Sequence, residues 1–173
     1  MQNLSKVSKF LLFLCSLAFI LWGGTYFSKF FLLYQFYEPE MTLKTAYTNI
    51  NFMPIFNTIM PIIGLNILFY PLFLLSLVLF SASSKLKIKN EGWFFIILSF
   101  SLITAPFEIY SLTYDYNIIN HIYNGSNDAA NILALIKEKI VSLGSFPFVQ
   151  FLFIIAIVFL AVYKPLRKKT DEN

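Results

Sequence analysis

Apolar residues run along this chain in four long blocks that charge never interrupts. Residues 10–28, 45–84, 92–107 and 140–163 hold no Asp, Glu, Lys or Arg and are mostly Phe, Leu, Ile and Val. A helix rising 1.5 Å per residue needs about 20 apolar residues to cross the hydrocarbon core of a bilayer. The pattern therefore predicts an all-α polytopic membrane protein with four spans, at about 8–34, 55–82, 93–114 and 146–164. Between them lie outer segments 35–54 and 115–145 and an inner link, 83–92, short enough to hold spans two and three as an antiparallel pair. The whole reads as a single four-helix bundle domain of two hairpins, each a span, an outer amphipathic helix and a returning span.

The outer segments carry the helical signals. Ala129, Ile132, Leu133, Ile136, Ile140 and Leu143 form one apolar stripe at 3.6-residue spacing. Ser126, Asn127 or Asp128 can cap its start, and Gly144 stands where a helix ends. Such a helix lies flat on the membrane or packs over the outer mouth of the bundle. In the first outer segment, Glu38-Pro39-Glu40 reads as a first turn, with Leu43, Tyr47 and Ile50 on one face before Pro54.

Composition and charge sharpen this picture. The chain is 58% hydrophobic and 13% charged, too apolar to be covered by its own polar surface, with a mean hydropathy of +0.69. The net charge of +4 is not a nucleic-acid signal, because nine of the 13 Lys and Arg cluster at three places on one side. These are Lys6 and Lys9; Lys85, Lys87 and Lys89; and Lys164, Arg167, Lys168 and Lys169. The opposite side holds Lys29, Lys44, Lys137 and Lys139 against Glu38, Glu40, Asp115, Asp128 and Glu138. The positive-inside rule then places both termini in the cytoplasm of a multi-pass cell-membrane protein. The run Phe10–Trp22 has the length of a signal peptide, but the apolar pattern resumes at Phe27, so it reads as part of a retained helix.

Candidate chemistry is sparse. Cys15 stands alone, which removes disulfides and dithiol chemistry, and His121 is the single histidine, which removes haem bridged by two histidines and multi-histidine metal sites. No nucleotide, metalloprotease or nucleophile-elbow motif occurs, so no catalytic residue, cofactor or metal is expected. Glu108 is the acid inside a predicted span, about 16 residues from its inner end and so roughly 24 Å along it. At that depth it reads as an outer-facing polar anchor in reach of interfacial water, with Gln150 as partner. Asn57, Tyr110, Tyr114 and His121 complete a candidate outer binding pocket under the amphipathic helix. Asn66, deeper and between Pro61 and Pro71, reads as an interhelical hydrogen bonder. Asn124-Gly125-Ser126 fits the glycosylation sequon.

The plan of four spans with an amphipathic segment before the last, together with Tyr47-Thr48-Asn49-Ile50-Asn51 and Pro54-Ile55-Phe56 ahead of span two, resembles the anthrone-oxygenase-like family of small four-helix membrane proteins. That resemblance implies a four-helix membrane fold and an oxygenase-like activity. It transfers no catalytic residue, since the Arg near the start of that family's last span has no counterpart here. Taken together, the residues favour a non-enzymatic accessory or structural subunit whose partners are membrane lipid and another membrane protein. The alternative is a binder or carrier of a small lipophilic molecule through the outer pocket, and after it an oxygenase-like enzyme.

Overall fold

The computed structural model describes residues 4–48, 50–84, 91–124 and 128–166. The candidate caps Ser126 and Asn127, Gly125 of the sequon, and the basic residues Lys85, Lys87, Lys89, Arg167, Lys168 and Lys169 lie outside them. Five α-helices follow in order: α1 (Lys6–Tyr34), α2 (Met53–Ser83), α3 (Gly92–Tyr123), α4 (Ala129–Leu143) and α5 (Phe146–Tyr163). All but α4 are long and apolar enough to cross a membrane.

Local chemistry sets their ends. Ser5 caps α1 by accepting the Ser8 amide at 3.1 Å, and α2 and α5 begin with proline in the first turn, where the missing N–H costs nothing. Helix directions alternate. Ser8, at the start of α1, donates to the Ser83 carbonyl at the end of α2 (3.0 Å). The start of α3 meets the end of α5, where Lys164 sits 5.7 Å above the Trp93 ring.

Two apolar cores stack along the bundle. The one nearer the termini is aromatic, with Trp22 stacked on Phe73 (5.4 Å, 7°) among Tyr26, Tyr70, Phe94 and Phe153. The other gathers Leu33, Phe36, Phe56, Ile63, Ile118 and Ile136. On each long helix a buried polar residue falls between the two: Lys29 on α1, Asn66 on α2, and Glu108 and Asp115 on α3. The bundle therefore carries a polar layer sandwiched in hydrocarbon.

The outer segments depart from expectation in two places. The helix expected from Glu38 does not form. Phe36–Lys44 reverses direction instead, with Lys44 N–H donating to the Phe36 carbonyl (3.0 Å), Glu38 N–H to Thr42 (2.9 Å), and a bridge between Tyr37 and Leu43. Met41 takes a left-handed φ of 59°, and only Thr45–Tyr47 makes a helical turn, of 3₁₀ type. So short a segment gains too few hydrogen bonds to offset helix nucleation, whereas the reversal buries Phe36 and Tyr37 and leaves Ile50 exposed. Of the two segments, the second forms its amphipathic α-helix, and the first makes only the 3₁₀ turn.

Helix α3 continues to Tyr123, nine residues beyond the span end expected at Tyr114. At 32 residues it rises about 48 Å, more than a bilayer core requires. Asp115 is consequently a helix residue and not a loop acid. Helix α4 forms as its stripe predicts: Asp128 caps the Asn131 amide (3.2 Å), Gly144 ends it at φ 52°, and Ile132, Ile136 and Ile140 are buried. It packs against the ends of α2 and α3 as a lid and does not stand off from the bundle.

Candidate functional site

The polar layer holds the chain's concentrated chemistry. Asp115, on α3, receives two lysines: Lys29 of α1 on one oxygen at 2.7 Å and Lys139 of the lid on the other. Lys29 also donates to Asn66 Oδ1 on α2 (2.5 Å), and Asn66 Nδ2 donates to Thr25 Oγ1 (3.3 Å). The Lys29 ammonium lies 5.4 Å from the Tyr26 ring centroid. The three charged side chains are 4%, 0% and 7% exposed for Lys29, Asp115 and Lys139. One carboxylate thus ties together α1, α3 and α4, and through Lys29 reaches α2.

Local sequence explains why these charges go inside. Lys29 stands among Tyr26, Phe30 and Leu33, all on the buried face of α1. Lys139 follows Ile136 by three residues and precedes Ile140, which brings it to the edge of the α4 stripe. Burial holds the Lys139 ammonium down at about 8, against the pull of the Asp115 carboxylate and, more weakly, of Glu108.

Hydroxyl bonds reinforce the lid. Tyr37 donates to the Leu133 carbonyl at 2.6 Å, linking the first outer segment to α4, and burial pushes that phenol up to about 12. Tyr114 reaches Glu138 (3.2 Å) and Ser142 (3.4 Å) from α3.

Of the residues singled out from sequence, Glu108, Gln150 and Asn66 lie in the layer, each at most 1% exposed. Glu108 does not reach outer water: it turns into the bundle, and among the described residues neither of its oxygens has a hydrogen-bond partner. The Oε1 of Gln150 is likewise unbonded, so the expected pair between them does not form. Tyr110 is 47% exposed on the outside of α3, bonded to Tyr114 at 3.0 Å, and Asn57 is exposed on α2. His121 bonds to the Asn117 carbonyl (2.8 Å) on its own helix, away from the layer. Lys29, Asp115 and Lys139 escaped sequence reasoning, which counted them as loop charges. Their signal was present: each has apolar neighbours at helical spacing. Among the described residues no group of His, Cys, Asp and Glu is arranged to hold a metal.

Two cavities flank this architecture. A small one, about 30 Å³, opens onto the layer and is lined by Lys29, Lys139, Ser111, Tyr26, Tyr34 and Pro147 with neighbouring apolar side chains. A larger one, about 320 Å³, lies in the terminal half and is bounded by Cys15, Phe19, Phe73, Trp93, Ile157 and Val162 among others. Phe151 of α5 stacks on Phe27 (4.4 Å) and is set edge-on to Tyr26 (5.7 Å) and Phe30 (4.6 Å), two residues that line the small cavity. No protein-family model matches the chain, and comparison with curated proteins and with solved structures finds no match.

Proposed function

We propose that this chain is a non-enzymatic, multi-pass membrane protein that serves as an accessory or structural subunit, with both termini in the cytoplasm. One observation carries the reading. Lys29, Asp115 and Lys139 are paired with one another, and the cavity that reaches the two lysines measures about 30 Å³. That is room for water or a small ion and excludes an organic substrate. The network acts as a buried brace that fixes the lid to three helices. Meanwhile Phe13, Ile20, Phe31, Ile103, Leu152 and Val162 stand exposed on the outer faces of α1, α3 and α5, apolar surface for lipid or a neighbouring subunit.

A second reading has its own observation. The 320 Å³ apolar cavity is large enough to bind a small lipophilic molecule, in the half of the bundle opposite the outer pocket expected from Glu108. The resemblance to the anthrone-oxygenase-like family gains no reactive residue from either cavity. Purification in mild detergent, with mass spectrometry for proteins and lipids together, separates the two readings. A stoichiometric protein partner is the expected result. A stoichiometric small molecule without a partner protein overturns the subunit reading in favour of the binder.

A further inference from the structure

The small cavity at the polar layer is built for negative charge. Each lysine ammonium has three N–H donors. Among the described residues Lys29 uses two, on Asn66 and Asp115, and Lys139 uses one, on Asp115. Donors remain on both, and both residues line the cavity. Ser111, Tyr26 and Tyr34 add three hydroxyl-bearing residues to the wall, and no acid or amide residue lines it. At about 30 Å³ the space suits a single small ion.

Charge arithmetic adds a condition. The ionisable groups of the layer are Lys29 and Lys139 against Asp115 and Glu108. With both lysines protonated, as they are below the Lys139 value of about 8, it is neutral only when both acids are ionised. A proton taken up by either acid leaves one positive charge for an incoming anion to balance, and Glu108 has no hydrogen bond to surrender. The groups that bear on Glu108 are Lys29 and Tyr26 from α1, Tyr70 from α2, Lys139 from α4 and Asp115 on its own helix, while α5 contributes the neutral Gln150. We propose that the cavity between Lys29 and Lys139 binds a small monovalent anion of halide size, and that the anion binds together with a proton on Glu108.

The test uses the full chain in detergent, titrated with sodium chloride against sodium gluconate at equal ionic strength, with thermal unfolding as the readout. Ligand binding to the folded state raises the midpoint with concentration, so the midpoints report an apparent Kd. Chloride stabilises and gluconate, too large for the cavity, does not. The apparent Kd for chloride weakens as pH rises from about 5.5 to about 7, by at most about 30-fold, the limit that a single linked proton sets over that interval. In Glu108→Gln, where the acid is permanently neutral, chloride binds with no such pH dependence. Ser111→Ala, which leaves the ion pairs intact, weakens binding severalfold at both pH values. Equal midpoints in chloride and gluconate at both pH values overturn the site. A pH dependence in Glu108→Gln equal to that of the parent overturns the coupling.

Discussion

At the scale of single residues, Asp115 carries more than any other. A buried ion pair adds little net stability over an apolar substitute, but removing one member strands the other and costs about 3–5 kcal/mol. Asp115 faces two lysines, so its loss strands two charges, whereas loss of Lys139 leaves Asp115 still paired with Lys29. Asp115→Asn is therefore expected to lower stability by at least that amount, and Lys139→Met by clearly less. Unfolding midpoints in detergent check the order, and a Lys139→Met protein as unstable as Asp115→Asn contradicts it. This asymmetry was not legible in the chain. Lys29 and Asp115 stand 86 residues apart, and a charge near a span end ordinarily belongs to the loop beyond it. Glu108 and Asn66 were legible because they interrupt otherwise apolar spans, where a polar group must turn inward. The depth of Glu108 along its helix misled only about direction, since distance along an axis says nothing about which face a side chain takes.

At the scale of elements, α4 shows how much a clean period can settle. Its cap, its stripe and its terminal glycine agree, so bounds and buried face were readable, while packing over the bundle was one of two placements the stripe allowed. The first outer segment offered a proline and three spaced apolar residues, too little to outweigh a reversal that buries two aromatic side chains. The lid also carries a pH signature. Lys139 is held at about 8 in the closed state, against about 10.5 when free. Between these values the open lid binds the extra proton, so closure strengthens as pH rises through that window and is constant below it. Amide exchange across Ile132–Ile140, corrected for intrinsic base catalysis, is expected to slow about tenfold between pH 8 and 9.5. Lys139→Met should abolish the trend. Exchange that speeds up over that range would mean that the ion pair, and not desolvation, dominates Lys139.

At the scale of the whole molecule, the brace alters the accounting of charge across the membrane. Lys29 and Lys139 are enclosed in ion pairs, so of four basic residues assigned to the outer side only Lys44 and Lys137 remain as free loop or surface charge. Nine are assigned by the sequence to the other side, and the asymmetry behind that expectation steepens. Reporter fusions after Asn173 and near Ser126 are expected to show cytoplasmic activity for the first and none for the second. Cytoplasmic activity near Ser126 reverses the assignment.

The same brace sets an order of events during synthesis. Lys29 enters with the first helix, yet its counter-charge is translated 86 residues later, and Lys139 a further 24 after that. Until α3 is made, the α1 ammonium lacks its counter-charge and has only Asn66 of α2 to bond. Its long alkyl stem lets that charge rest at the outer interface, in contact with water. The arrival of Asp115 draws it into the bundle, and the arrival of Lys139 closes the lid over both. A nascent chain ending short of Asp115 is thus an open assembly. The ribosome must pass the third helix before the first can take its final place.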